Sequence, residues 1–446
     1  MSKLGKVRVP ERKSTAKSTV VRMIPPSSVE IPMSQHIGAP AKPIVKAGDK
    51  VYIGTLIGEA CNAISANIHS SVSGTVKKID TFLLPNGRIC DSVIIESDGK
   101  CEPDQSILPP TVNSYRELSK AAKDAGLVGL GGAGFPTSVK LSPEKLDKID
   151  TLIINGAECE PYITSDTITM LNDADLVFRG VKTILDLSGI PRAIIGIEEN
   201  KPECLSKMKS VFASDTRVSV AKLPALYPQG AEKILIYNTT SRIVPEGKLP
   251  SDVGILLLNV TTVAYLRKYL DTGMPLVEKC ITVDGSAIKS PANIIAPIGA
   301  KVGDVIEAIG GFSHKPGKIL YGGPMMGIAL YSLDAPIMKN NNAIVAFRER
   351  DSKNPKVTAC IRCGRCVSYC PIGLNPTVYA KAMGLSNSID RAELLDSAKV
   401  NLCIECGCCS YVCPAKRPLV ENNRLAKADL IHYNERKAKE KCENEE

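Results

Sequence analysis

The sequence predicts a multidomain α/β protein, and three observations predict it. Short strand segments separated by turn residues fill the stretch from about Ile31 to Glu96. Helical and strand patterns then alternate from Ser114 onward, as they do in layered α/β structures. Near the end, eight cysteines fall in one rhythm written twice, with a helix-length insert between the runs. At 446 residues the chain is long enough for about three domains with sizeable cores.

Residues 1–30 form an N-terminal segment that is basic and polar. It has no apolar h-region, so no secretory signal is expected and the reducing cytoplasm is the predicted compartment. Residues 31–110 hold Val45-Lys-Ala-Gly-Asp-Lys-Val-Tyr-Ile-Gly-Thr-Leu-Ile-Gly and then Ile68-His-Ser-Ser-Val-Ser-Gly-Thr-Val. This N-terminal β module resembles the lipoyl/biotinyl barrel-sandwich family. Carriers of that family bear a lysine at the hairpin tip, and the tip here, Asn62 to Asn67, has none. The resemblance therefore implies a packing module, not a swinging arm.

Residues 111–275 carry the alternation. A helix is expected over Tyr115 to Ala125, a buried strand at Thr151-Leu-Ile-Ile and a helix over Leu176 to Leu187. A strand at Arg192-Ala-Ile-Ile-Gly-Ile leads to a helix opening at Pro202. A further strand from Val253 to Val260 leads to a helix whose first turn holds Thr261 and Thr262. The first helix runs into Gly126-Leu-Val-Gly-Leu-Gly-Gly-Ala-Gly-Phe-Pro-Thr-Ser-Val-Lys140. Glycines let backbone N–H groups approach a phosphate closely, a helix N-terminus adds partial positive charge, and Lys140 adds a full one. Glycine-rich turns are also common as plain structure, and no strand leads into this one as the Rossmann fingerprint requires. The strand at Leu152 opens into Asn155-Gly-Ala-Glu-Cys-Glu-Pro-Tyr. Loops after parallel strands are where ligands bind in open α/β sheets. Two acids and an amide there suit ribityl hydroxyls and a carboxamide.

Residues 276–340 read as a small β-grasp insert and a return toward those loops, with two short strands and a helix over Val302 to Ile309. Asn340-Asn-Asn and Arg348-Glu-Arg-Asp-Ser-Lys-Asn-Pro read as the linker that follows.

Residues 355–420 hold the cysteines. Cys360, Cys363, Cys366 and Cys370 are closed by Pro371; Cys403, Cys406, Cys409 and Cys413 are closed by Pro414. Each run reads C-x2-C-x2-C-x3-C-P, the spacing of bacterial two-cluster ferredoxins. A tight loop supplies three thiolates to a [4Fe–4S] cluster, and the fourth crosses over from the other run. The expected ligand sets are Cys360, Cys363, Cys366 and Cys413, and Cys403, Cys406, Cys409 and Cys370. Zinc competes for paired C-x2-C groups but needs no third cysteine or closing proline. A disulfide framework suits small secreted chains. Cys408, inside the second run, is a spare thiol or a register alternative to Cys409. Cys61, Cys90, Cys101, Cys159, Cys204, Cys280 and Cys442 are scattered and read mostly as small buried hydrophobes. Pro371 to Leu402 accommodates two helices, one beginning with the capping box Asp390-Arg-Ala-Glu393, so the ferredoxin domain is of a helical kind. Residues 421–446 are a charged tail, a solvated helix or a disordered end.

Taken with Asn-x-x-Glu-x-Glu-Pro, the string Gly-Gly-Ala-Gly-Phe-Pro-Thr with its following lysine resembles the NADH-binding flavoprotein subunit of respiratory complex I. The fuller strings add Tyr227-Pro-Gln-Gly-Ala-Glu-Lys and Gly322-Gly-Pro-Met-Met-Gly327. With two C-terminal clusters they resemble the C component of the Rnf complex, the membrane ferredoxin:NAD oxidoreductase, over essentially the whole chain. The resemblance implies an FMN/NADH-binding α/β domain and a peripheral place on the cytoplasmic side of the cell membrane beside other Rnf subunits, with ferredoxin an indirect partner. It implies that Gly131, Gly132, Gly134 and Lys140 hold the FMN phosphate and ribityl chain, and that Asn155 and Asn259 contact FMN. Phe135, Glu160 and Glu232 would face the nicotinamide nucleotide, and Glu158, Tyr227 and Gly230 complete the cofactor-binding set. Ala157 and Ala231 stand where complex I has acids, so the pocket is less acidic on that side.

Such a protein exchanges hydride between NAD(H) and FMN and passes single electrons through two clusters, because a flavin takes electrons in pairs and releases them singly. No side chain need act as a general acid or base. The rival readings are a soluble flavin and iron–sulfur reductase, such as a cobalamin reductase, and a cluster-only wiring subunit. No apolar stretch reaches the roughly 20 residues of a membrane span, so ion transport would belong to other subunits. Sparse aromatics and the absence of Trp give nucleic-acid binding no support. The formal charge of +9 is compatible with acidic partners, an anionic membrane face or a merely solvated surface. Four scattered histidines suggest neither haem nor a Rieske centre.

Overall fold

The computed structural model describes residues 5–445, with no account of the side chains of Pro143, Lys145 and 441–446. Two small antiparallel sheets make the N-terminal module. One pairs Ser28–Pro32, Ile89–Ser97, Gly74–Leu83 and Lys50–Val51; the other pairs Lys42–Pro43, Leu56–Glu59 and Ile68–His69. Alternating residues such as Val29, Ile31, Val93 and Ile95 face inward and are fully buried between the sheets.

The module's tip is where the carrier lysine of a lipoyl-type domain would stand, and here it abuts the glycine-rich loop. The Ile37 N–H donates to the Gly134 carbonyl at 3.0 Å. The Lys339 ammonium donates to both the Asn67 and Gly126 carbonyls, at 2.5 and 2.7 Å.

The central domain is a four-stranded parallel sheet in the order Val218–Leu223, Ala193–Glu198, Thr151–Asn155, Ile255–Asn259. The chain adds strands outward from Thr151–Asn155 and then returns to place Ile255–Asn259 on its other side. That reversal is a topological switch point, where open α/β sheets bind ligands beyond the carboxyl ends of their strands. Asn155 and Asn259 sit there in register with one another. The helices Ala174–Ser188 and Val260–Thr272 cover one face, their apolar positions packing Leu152, Ile154, Ile195 and Leu258 out of water. A Cβ on Gly180 would sit 2.7 Å from Val263, so these helices approach at a residue without a side chain.

The β-grasp insert is larger than the sequence suggests. Its sheet has six strands, ordered Val21–Arg22, Ala292–Pro297, Glu278–Asp284, Ala343–Arg348, Pro316–Tyr321 and Ile328–Ala329. Ala343–Arg348 lies at its centre, with four buried residues, just where a linker was expected to begin. The Asn340-Asn-Asn turn signal is real, but it turns the chain into a core strand. Val21–Arg22, from the N-terminal segment, pairs parallel to Ala292–Pro297 at the sheet's edge.

The last domain is helical, as expected. Pro376–Ala382 and Ser388–Ser397 lie between the cysteine runs, and Leu419–Glu445 is one long helix. The capping box at Asp390 is corrected. The helix starts earlier, and the Asn387 side chain accepts from the Ile389 and Asp390 N–H groups. Asparagine is at least as good an N-cap and sits nearer the turn. Among the scattered cysteines, Cys90 and Cys204 are buried, Cys159 and Cys280 partly so, and Cys61 and Cys101 are exposed, so burial holds for fewer of them than expected. Cys442 lies outside the described side chains.

Candidate flavin and cluster sites

The glycine-rich loop is closed on itself. Gly129 N–H donates to the Phe135 carbonyl and Gly134 N–H to the Gly129 carbonyl. Gly132 and Gly134 have φ of 110° and 68°, conformations a side chain would strain. The loop exposes Gly131, Gly132 and Ala133, whose N–H groups have no protein acceptor among the described residues. Three successive free donors make an anion-binding concavity. A Cβ on Gly131 would come within 3.1 Å of the Asn259 amide, which brings this loop against the strand end. A Cβ on Gly134 would meet Asn340 at 3.2 Å, and the buried Asn340 Oδ1 has no hydrogen-bond partner among the described residues. Phe135 is half-buried beside this loop.

From below, the Lys279 ammonium donates to the Leu130 carbonyl at 2.9 Å and to Asn342 Oδ1 at 2.5 Å. Lys339 holds Gly126 in the same way. Burial brings both lysines down to about 7. Neither lysine had a signal in the sequence, and Asn340 and Asn342 signalled only a turn, not a site.

Across the switch point each asparagine is spoken for. Asn155 Nδ2 donates to the Gly230 carbonyl at 2.9 Å, while Gly230 N–H donates to Cys159 Sγ at 3.3 Å. Asn259 Oδ1 caps the helix behind it by accepting from Thr261 and Thr262 N–H. Its Nδ2 donates to Asp166 at 2.8 Å, and the Thr261 hydroxyl donates to the same carboxylate. Asp166 is buried, and that burial pushes its carboxyl above the usual range. It is a residue that sequence reasoning missed. Lys140 forms an ion pair with Glu232 at 2.9 Å and donates to the Leu257 carbonyl at 3.2 Å.

The two acids of the loop have separate tasks. Glu158 has φ 46° and caps the helix Ser165–Asn172, accepting from Asp166 N–H and from the Thr167 hydroxyl, both at 2.6 Å. Burial drives its carboxyl upward, against the pull of Lys13. Glu160 accepts from Met325 and Met326 N–H at 3.1 and 2.8 Å, and burial pushes it up to about 7. It thereby ties the strand-end loop to the Gly322–Gly327 turn.

The cysteines divide into two sets. Cys360, Cys363, Cys366 and Cys413 line one cavity; Cys370, Cys403, Cys406 and Cys409 line another, with Cys408 beside them. The first set is open to solvent, since Cys360 and Cys363 are exposed. The second faces inward. Cys406 and the fully buried Cys408 pack in one apolar cluster with Val7, Tyr227, Cys159 and Met325. The Tyr227 hydroxyl is buried there with no hydrogen-bond partner among the described residues. N–H groups already point at the sulfurs: Leu374 N–H at Cys370, Arg362 N–H at Cys360 and Asn423 Nδ2 at Cys403, at 3.3 to 3.4 Å, with Asn423 Nδ2 also 4.0 Å from Cys409. Four soft donors around each cavity suit iron–sulfur clusters, whose potentials such hydrogen bonds tune.

Fold and site together define an iron–sulfur flavoprotein: an α/β flavin domain joined to a two-cluster helical domain. Residues 122–268 match the Nuo51 FMN-binding domain, 2–100 the RnfC barrel sandwich hybrid domain, 280–329 the SLBB domain and 356–438 the 4Fe-4S dicluster domain. The chain is 44% identical over 83% of its length to the C component of the proton-translocating ferredoxin:NAD(+) oxidoreductase complex of Clostridium ljungdahlii, covering 81% of that protein. It is 42% identical to the Na(+)-translocating counterpart of Acetobacterium woodii, over 96% of each chain. To the C component of the ion-translocating oxidoreductase complex of Rhodobacter capsulatus it is 37% identical, over 95% of this chain and 82% of that one. The chain belongs to this family of Rnf C components. NAD+-reducing [NiFe]-hydrogenase in the air-oxidized state shares the fold with a TM-score of 0.51 at 19% identity, over 70% of this chain and 61% of that one. In the H2-reduced state the TM-score is 0.50 at 18% identity, over 72% and 62%.

Proposed function

We propose that this chain is the peripheral subunit that exchanges hydride with NAD(H) and wires the electrons, one at a time, toward the other subunits of an ion-translocating ferredoxin:NAD(+) oxidoreductase complex. One observation carries the reading: Cys406 and Cys408 pack in one cluster with Cys159, Tyr227 and Met325, and Cys159 accepts from Gly230, whose carbonyl takes the Asn155 amide at the strand end. Bound FMN supplies two-electron exchange with a nicotinamide and one-electron exchange with [4Fe–4S] centres.

The protein's residues bind and orient. The free N–H groups of Gly131 and Gly132, the turn at Gly134 and the Lys140 ammonium are assigned to the FMN phosphate and ribityl chain. Asn155, Asn259 and Gly230 are assigned to the flavin at the switch point. Phe135, Glu160 and Glu232 are assigned to the nicotinamide nucleotide, although the Glu160 carboxylate is already taken by the Met325 and Met326 N–H groups and can act there only through the loop it ties down. Glu158 shapes that loop by capping the helix behind it, and Tyr227 is assigned to the wall toward the inner thiols. Cys370, Cys403, Cys406 and Cys409 hold the inner cluster, and Cys360, Cys363, Cys366 and Cys413 the outer one. The inner set adjoins the flavin-side residues, while the two exposed ligand cysteines, Cys360 and Cys363, belong to the outer set, which would therefore be the one to face a partner.

Among the described residues no helix is long and apolar enough to cross a membrane. Attachment would therefore run through the partner subunits, on the cytoplasmic face. The test is oxygen-free purification with iron, sulfide and FMN quantified together, followed by NADH titration. About eight irons and one FMN per chain, with NADH bleaching both chromophores, is the expected result. A flavin-free or zinc-only preparation would overturn it.

A further inference from the structure

The N-terminal arm has no part in the reading above, yet it threads through the centre of the molecule. Val7 exchanges backbone hydrogen bonds with Tyr227, both at 2.9 Å. The Arg8 carbonyl accepts from the Tyr411 hydroxyl of the cluster domain at 3.3 Å. Thr15 meets the Thr164 hydroxyl at 2.7 Å, and its carbonyl accepts from Asn293 of the β-grasp sheet. The arm thus touches all three domains that must be aligned for electron transfer.

Its centre is Lys13. The ammonium donates to the carbonyls of Glu158, Glu160 and Ile163, at 2.8, 2.8 and 2.6 Å. An ammonium has three protons, and here each has an acceptor from one loop. That loop bends sharply around it: Glu158 and Tyr162, neither of them glycine, have φ of 46° and 70°. Such backbone is costly unless something over-determines it. The three converging carbonyls would repel one another without a cation between them. The same loop carries Cys159, which holds Gly230, and Glu160, which holds the Met325 turn against the inner thiols.

We propose that Lys13 is a positioning residue for the flavin reaction: its ammonium templates the 156–164 loop, and through that loop it aligns the flavin site with the inner cluster. The proposal rests on the flavin and cluster assignment above. A supporting shell of this kind fixes a site that its contact residues alone would leave loose. Burial lowers the Lys13 pKa while the nearby Glu158 and Glu198 carboxylates oppose that shift, and the ammonium held in this way also favours a reduced, more negative flavin.

The full-length protein, loaded with FMN and clusters without oxygen, is compared with Lys13→Met and Lys13→Arg. Lys13→Met should keep its iron but pass electrons from NADH-reduced flavin to the clusters at least tenfold more slowly, with the flavin midpoint shifted negative. Lys13→Arg, keeping charge but not the three-way geometry, should restore the midpoint more than the rate. A well-folded Lys13→Met with wild-type midpoint and transfer rate overturns the proposal.

Should Lys13→Met not fold, Lys13→Arg decides: wild-type rates and midpoint there would sink the geometric part. Hydrogen exchange on the wild type is independent of either variant. Amides of 7–16 and 156–164 should gain protection together when FMN is added, and a loop that slows while the arm is unchanged contradicts it. If the wild type takes up no flavin, it is the functional assignment that has failed. In that case Lys13→Met must still speed exchange in 156–164, or the templating claim fails too.

Discussion

The Met325 carbonyl oxygen lies 2.6 Å from where a Cβ on Gly407 would be. Gly407 stands between Cys406 and Cys408 with φ 75°, and Met325 is held from behind by Glu160. The flavin domain and the inner cluster loop therefore meet at a residue that has no side chain. Gly407→Ala is expected to force the two apart, and a left-handed alanine adds about 1 kcal/mol of its own. Stopped-flow with NADH should show flavin bleaching near the wild-type rate but cluster reduction slowed at least tenfold. Dithionite-reduced EPR should still report both clusters. Wild-type cluster reduction would mean that this contact does not set the transfer distance.

Cys408 and Cys409 both border the inner cavity, and the spacing to Cys413 favours Cys409 as ligand. Cys409→Ala should lower iron from about eight to about four per chain, with one EPR signal lost. Cys408→Ala should leave iron unchanged, because it removes a small buried hydrophobe at a cost of about 1–2 kcal/mol. The reverse pattern of iron loss would reassign the ligand.

Glu160 is held near 7 by burial, well above its value in an unfolded chain. Between those two values the folded state binds more protons than the unfolded one, so stability falls as pH rises through that window. The penalty is absent in acid, grows from about pH 4.5 and is complete above about pH 7, reaching roughly 1–3 kcal/mol. Glu160→Gln carries no such charge. Its melting temperature should fall less steeply than that of the wild type between pH 5 and 7, Glu158 contributing a residual slope in the same direction. Parallel curves would show that Glu160 is ionised without cost.

Lys140 is neutralised by Glu232 before any phosphate arrives. The pair is partly exposed, so its strength is about 0.2–1 kcal/mol. Glu232→Gln should free the ammonium and tighten FMN binding by about twofold to fivefold, while raising the KM for NADH. Isothermal titration of flavin-depleted protein and steady-state NADH oxidation would read the two effects separately. Weaker FMN binding in Glu232→Gln would remove Lys140 from the phosphate site.

What could be read from the sequence followed from local rules. Period-2 and helical patterns located the strand at Thr151 and the helices at Tyr115 and Pro202 within a few residues. The cysteine rhythm announced two clusters because ligand spacing within one loop is a short-range property. The Asn387 cap was mistaken for Asp390, since competing caps three residues apart look alike until the turn is folded. The Asn340-Asn-Asn turn looked like a linker because asparagines punctuate linkers and core turns equally.

Within the sequence itself, cysteine spacing made the two clusters readable and periodicity the α/β alternation, because both are written within a few residues, whereas the flavin and nicotinamide were read from the resemblance of the glycine-rich and acidic strings. Only the tertiary structure decided which cysteine set faces the flavin site, that Lys13 sits inside a loop some 145 residues away, and that Asp166, Lys279 and Asn340 back the glycines. A buried ammonium, a carboxylate or an orphaned amide is chosen by whichever polar groups the packing leaves without water, and that set exists only once distant segments have closed on one another.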